Sequence, residues 1–210
     1  MVKFPECTKV GRRLPKEAFY QHVPLTPTLK KKFVSDVEAI ILENSLTAKN
    51  LNLPQETEIK EILLVSIHLK KQNFDEKIVE AIAKQNPHPL IFQLIYGPKQ
   101  QLAVYYHTFY CSEWTCAADA RLALEGNTLT AIWENLVRQI AIQPEIVHQQ
   151  RTQTLAVQLK QQEKMDHLQK LIQKTEAAVW KERQPKKKFT LYTKLQEYKK
   201  QWEELTHGQA

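Results

Sequence analysis

Glycine is scarce in this 210-residue chain, which has only Gly11, Gly97, Gly126 and Gly208. Neither a P-loop nor a GxGxxG dinucleotide fingerprint can be built from glycines so placed, which excludes nucleotide hydrolysis by the usual phosphate-cradling loop. Cysteine is as sparse. Cys7, Cys111 and Cys116 are odd in number and include no CxxC pair, which argues against a disulfide framework and for a reducing compartment, with the cytoplasm as the expectation. The first residues, MVKFPECTKVGRR, lack the apolar run of a signal peptide. No apolar run approaches the ~20 residues needed to cross a bilayer, so no membrane partner is expected. The seven histidines, His22, His68, His88, His107, His148, His167 and His207, form no HExxH and share no metal-ligand spacing with the cysteines. No metal and no cofactor are therefore expected.

What the chain does contain is a positive charge that is unevenly placed. Residues 1–150 carry 17 Lys and Arg against 16 Asp and Glu, whereas residues 151–210 carry 13 against 7, so nearly all of the formal charge of +7 lies in the last segment. A basic segment attracts polyanions, although scattered lysines on a helix are more often a solvated face.

Hydrophobic periodicity divides the chain into a globular α+β domain, residues 1–143, and a helical segment, residues 144–210. LPKEAFYQH predicts a short helix. LTPTLKKKFVSDVEAIILENSL predicts a longer one, capped by Thr26 with Pro27 at its first position and with Leu29, Phe33, Val37, Ile40 and Ile41 on one face. EIKEILLVSIHLK alternates with period two: Leu63, Val65, Ile67 and Leu69 face one way, and Ile62, Leu64, Ser66 and His68 the other, as a strand requires. NFDEKIVEAIAKQNP reads as a helix capped by Asn73 or Asp75 and closed by Pro87. PLIFQLIY and QLAVYYHTFY, joined by GPKQ, read as an antiparallel hairpin. CSEWTC and DARLALEG suggest one or two further short strands. NTLTAIWENLVRQIAI then gives an amphipathic helix with Leu129, Ile132, Trp133, Leu136, Val137 and Ile140 as its buried stripe. The fold class is α+β, a small, mostly antiparallel sheet with packed helices.

From Glu145 to Arg183 neither glycine nor proline occurs, and the stretch reads as one helix. Met165, Leu168, Ile172, Thr175 and Val179 recur at alternating spacings of three and four, and so do Leu191, Leu195, Tyr198, Trp202 and Leu205 beyond Pro185. If the chain reverses near Pro185, antiparallel helices pair residues whose numbers share one sum. The apolar positions obey this rule throughout: Met165 with Leu205, Leu168 with Trp202, Ile172 with Tyr198, Thr175 with Leu195, and Val179 with Leu191. The segment is therefore read as an antiparallel coiled-coil hairpin. Leu155 and Leu159 lie beyond the paired stretch, which leaves homodimerisation through them open.

Chemistry is harder to find. Cys111 and Cys116 could form a site with His107 or His88, but they are read as small, partly buried hydrophobes. Glu113 beside Trp114 would need burial to act as an acid, and an exposed or salt-bridged glutamate is commoner. A metal-dependent nuclease would need carboxylates at neighbouring strand ends, yet VSIHLK has His68 where a ligand is wanted, leaving Asp75 or Glu113 to arrive from elsewhere. No catalytic residue is assigned. Nucleic-acid binding has more material: Lys181, Arg183, Lys186, Lys187 and Lys188 gather at the reversal, with Lys174 two turns below. Trp180 and Phe189 are read as packing under the turn rather than as stacking on bases.

RLPKEAFYQH, LTPTLKKKFVSDVEAI, the run from EILLVSIHLKK to AVYYH, LEGNTLTAIWENLVRQI and KERQPKKKFTLYTKLQEYKK, in that order, resemble blocks of an uncharacterised bacterial family, the domain of unknown function numbered 4391. The resemblance runs from about Leu14 to Lys200. It implies a gene context of helicases and adenine methyltransferases of restriction-modification or phage-defence type, hence a helicase or DNA methyltransferase as protein partner. It transfers no catalytic residues. The resulting expectation is a non-enzymatic accessory protein of such a system, with a protein-protein adaptor as the alternative and a divergent nuclease behind both.

Overall fold

The computed structural model describes residues 2–16, 25–55, 58–116, 121–143 and 153–207. By its contacts the chain divides into two compact units, Met1–Ala141 and Ile142–Ala210.

In the first unit a seven-stranded sheet is ordered β1 (Lys9–Leu14), β2 (Val37–Thr47), β3 (Glu61–Leu69), β4 (Leu90–Tyr96), β5 (Lys99–Tyr106) and β6 (Thr108–Cys111), with β7 (Thr115–Cys116) also paired to β5. All pairs are antiparallel except β3 with β4. That parallel pair requires a crossover, and α2 (Lys77–Gln85) supplies it. The α+β class and the mostly antiparallel sheet follow the sequence reading.

β3 is the strand that the period-two pattern anticipates. Every residue from Ile62 to Ile67 is buried, and Leu63, Val65, Ile67 and Leu69 join Phe92 and Leu94 of β4 in one cluster beneath Phe33, Ile78, Val79 and Ile82. The helices α1 (Pro27–Asp36) and α2 thus cover one face of the sheet. α3 (Leu129–Ala141) packs on β3, β5 and β6, and all six residues of its anticipated stripe are buried. Thr128 opens α3 by accepting a hydrogen bond at Oγ1 from the Ala131 amide at 3.2 Å. Thr26 does the same for α1, accepting from the Leu29 amide at 3.3 Å, with Pro27 at the first helical position. Neither candidate cap for α2 holds the N-cap position, which is Glu76 without a side-chain cap bond; Asp75, one residue earlier, accepts from the Lys77 amide at 3.1 Å.

The structure departs from the sequence pattern at three places. The long helix predicted through LENSL ends at Asp36, and the chain passes directly into β2. A bulge lies between Val37 and Ala39, so Val37 stands opposite Leu69 and Ile40 opposite Ile67, on the same face although three residues apart. That spacing mimics a helix turn, and pairing with β1 on one side and β3 on the other decides for the strand. β1 itself was not anticipated, because KVGRRL at the sheet edge has no alternation and is almost wholly exposed. DARLALEG forms no strand over its described residues 121–126. The Ala123 amide and carbonyl are instead satisfied by the Gln139 side chain, at 2.8 and 2.9 Å. The short helix predicted over LPKEAFYQH falls mostly outside the described residues.

In the second unit α4 (Leu155–Lys181) and α5 (Pro185–His207) are adjacent and packed together. The single helix expected from Glu145 is corrected: Thr154 has extended backbone (φ −67°, ψ 151°), so the helix starts at Leu155. Its 27 residues span about 40 Å at 1.5 Å per residue. Residues 145–152 lie outside the described set. Leu155 and Leu159 are buried, at 3% and 4% exposure.

Candidate nucleic-acid interface

The ten seam positions of α4 and α5 turn away from water. Met165, Leu168 and Leu195 are buried, and Ile172, Thr175, Val179, Leu191, Tyr198, Trp202 and Leu205 are partly buried. Lys164, His167 and Leu168 line one cavity with Gln201, Glu204 and Leu205. Nearer the junction, Lys199 Nζ lies 3.3 Å from Glu176 Oε1. These contacts lie between the two adjacent helices.

The reversal takes three residues, Glu182, Arg183 and Gln184. The Glu182 amide donates to the Ala178 carbonyl at 3.0 Å and closes α4. The Gln184 amide donates to Glu182 Oε1 at 2.9 Å, and the Lys188 amide donates to the Gln184 carbonyl at 2.9 Å, opening α5. Pro185 occupies the first helical position, where its missing N–H costs nothing. The Glu182 and Gln184 amides and the Gln184 carbonyl are thus met within the turn and its flanking helices.

All five cations assigned to the tip, Lys181, Arg183, Lys186, Lys187 and Lys188, are exposed there. Lys181 sits in the last turn of α4, where a cation suits the helix dipole. Lys186, Lys187 and Lys188 sit in the first turn of α5, the positive end, and no acidic residue shares that turn. Each unfavourable placement costs about 0.3–1 kcal/mol at low ionic strength. Helix stability would choose the opposite sign here.

The reading of the aromatic residues is corrected. Trp180 is 81% exposed and Phe189 72% exposed, so neither packs under the turn. Trp180 follows the seam residue Val179 by one position and Phe189 precedes Leu191 by two, which rotates both rings by at least 100° from the seam. Tyr192, 51% exposed, joins them and was not singled out from the sequence. Its signal was there: it stands one residue after a seam position and one helical turn after Phe189.

Elsewhere the candidate chemistry disperses. Asp75 Oδ2 lies 2.8 Å from Lys32 Nζ, and the hydrogen bond from that ammonium holds its carboxyl below the usual carboxylate range. Asp36 is buried at the junction of α1 and β2 with Lys71 Nζ at 2.7 Å. Burial alone would raise its pKa, but the hydrogen bonds from Lys71 and the Ser35 hydroxyl outweigh it, and Asp36 too titrates below the usual range. Two carboxylates held by ammonium groups are braces between elements. Glu113 is exposed and His68 half-buried. Cys111 and Cys116 are exposed rather than partly buried, because β6 and β7 are short strands at the margin of the sheet. Among the described residues no group of three or more His, Cys, Asp or Glu could hold a metal ion, and no helix is long and apolar enough to cross a membrane.

No curated protein and no solved structure matches the chain. A family model described as Domain of unknown function (DUF4391) matches residues 2–202.

Proposed function

The chain belongs to the DUF4391 family, and on that premise we propose that it is a non-enzymatic accessory protein of a bacterial DNA-processing or restriction-modification-like defence assembly. Its α+β unit docks a protein partner, a helicase or a DNA methyltransferase. Its two long helices form an antiparallel coiled-coil hairpin whose basic tip, Lys181, Arg183, Lys186, Lys187 and Lys188, contacts nucleic acid.

One observation carries the reading: three exposed lysines stand in the first turn of α5 with no acid among them. Folding gains nothing from that arrangement and loses a little, whereas a phosphate backbone would relieve it with charge-assisted hydrogen bonds and counterion release. None of the turn's three hydrogen bonds described above uses a lysine side chain. A requirement outside the fold explains them better than a requirement within it.

The test has two arms. Changing Lys186, Lys187 and Lys188 together to Glu should abolish binding to DNA or RNA at low salt while leaving the helices folded. Capture of the native protein from its host should bring down helicase or methyltransferase together with nucleic acid. Absence of nucleic-acid binding by the unaltered protein at low salt would replace this reading with that of a protein-protein adaptor.

A further inference from the structure

We propose that the tip takes single-stranded nucleic acid in preference to duplex, with unpaired bases stacked on Trp180, Phe189 and Tyr192 and phosphates held by the surrounding cations. This rests on the nucleic-acid reading above and names the form of the ligand.

Trp180 and Tyr192 share one side of the paired helices, and Phe189 adjoins Tyr192 further round the outer surface of α5. The Glu176–Lys199 ion pair, 3.3 Å long, marks that side on both helices at once. Trp180 follows Glu176 by four residues, one helical turn, and so continues the same stripe of α4. Tyr192 precedes Lys199 by seven residues, two turns, and continues the stripe of α5, with Phe189 three residues nearer the tip and about 60° further round the helix. Trp180 and Tyr192 therefore extend the ion-pair side toward the reversal, with Phe189 beside them and Arg183 and Lys186 through Lys188 exposed nearby.

Exposure on this scale has no return in folding. Trp180, Phe189 and Tyr192 are 81%, 72% and 51% exposed, while the seam residues beside them turn inward. An aromatic ring left in water amid cations offers two things together, a flat apolar face and an attractive potential for anions. A base has a flat face and its nucleotide an anionic phosphate. In a duplex the base faces are stacked against one another and only their edges reach the grooves, so projecting rings find nothing to stack on. In a single strand the faces are free, and stacking on aromatic side chains combines with a basic track along the backbone. Phe189 and Tyr192 are about 4.5 Å apart along the helix axis, a separation that a flexible strand can match by opening slightly from its stacked 3.4 Å repeat. An acidic protein segment would satisfy the charge but leaves three rings unexplained.

The experiment uses the full chain and fluorescein-labelled 20-mers of oligo(dT) and oligo(U), each read by anisotropy against a mixed-sequence 20-base-pair duplex. At 50 mM salt a single strand should bind at least ~10-fold tighter than the duplex. Trp180→Ala with Phe189→Ala should weaken single-strand binding by ~10-fold or more and duplex binding by less than ~3-fold, with an unchanged melting temperature because both rings are already in water. Tighter binding of either sugar supports the proposal. Equal or tighter duplex binding overturns it while leaving the nucleic-acid reading standing, as does a double variant with undiminished single-strand affinity. If no nucleic acid binds at all, both fall together.

Discussion

Across the two long helices, Lys199 Nζ stands 3.3 Å from Glu176 Oε1, with each side chain a little under half exposed. The pair joins a residue five positions before the end of α4 to one fourteen positions into α5. Exposed pairs of this kind contribute at most about 1 kcal/mol, so its value is diagnostic rather than energetic. Glu176→Lys should lower the urea midpoint slightly by setting two cations against each other. Adding Lys199→Glu should restore it, and a coupling of about 0.3–1 kcal/mol from the double-mutant cycle is expected. A cycle that closes to zero would mean that the two side chains do not meet in solution.

Asp36 and Asp75 make stability depend on acid. Both carboxyls titrate below their ordinary value when folded, so the ionised forms favour the folded state. Their contribution is complete above the ordinary carboxylate pKa of about 3.9 and disappears as pH falls through the depressed folded values. The urea midpoint should accordingly hold between pH 7 and 5 and drop below pH 4. Asp36→Asn should flatten that drop, while at neutral pH it should cost about 1–3 kcal/mol through loss of the charged partner of Lys71.

Gln93 on β4 and Gln100 on β5 are both buried, and the Gln93 amide nitrogen donates to the Gln100 side-chain oxygen. Removing the Gln93 side chain takes away this buried hydrogen bond and leaves a smaller residue in its place, so Gln93→Ala should cost about 1–3 kcal/mol. Chemical denaturation of the variant beside the unaltered protein is the check.

His107 joins β5 to β6 with φ +61°, a left-handed conformation in which a β-branched side chain is strained. His107→Val should destabilise by about 1–2 kcal/mol. His107→Gly should be close to neutral, as the relief of backbone strain offsets the greater freedom of glycine in the unfolded chain. Melting temperatures of the two variants, ranked Gly above Val, are the check.

Periodicity revealed the parts of the fold where one pattern fits one structure. β3 is a nearly continuous apolar run buried on both faces at the centre of the sheet, and the α3 stripe at Leu129, Ile132, Trp133, Leu136, Val137 and Ile140 is buried throughout. It failed where a local irregularity imitated the other period. The bulge between Val37 and Ala39 places two same-face residues three apart, and no count of spacings distinguishes that from a helical turn. β1 carries no pattern because an exposed edge strand needs none. At the tip the cations are evident from sequence, whereas the exposure of Trp180 and Phe189 is not, because aromatic rings are usually covered and a turn of three residues has nothing to cover them with.

The measurement that bears most directly on the proposed role is the salt dependence of oligonucleotide binding, compared between the unaltered protein and the Lys186→Gln, Lys187→Gln, Lys188→Gln triple variant. For a single strand each phosphate contact contributes about 0.7 to the slope of log affinity against log salt. Loss of three such contacts should reduce the magnitude of the slope by about 2 and weaken binding most at low salt, while the melting temperature holds or rises slightly because three cations have left the positive end of α5. An unchanged slope with unchanged affinity would contradict the account, since the three lysines would then be held out to no polyanion.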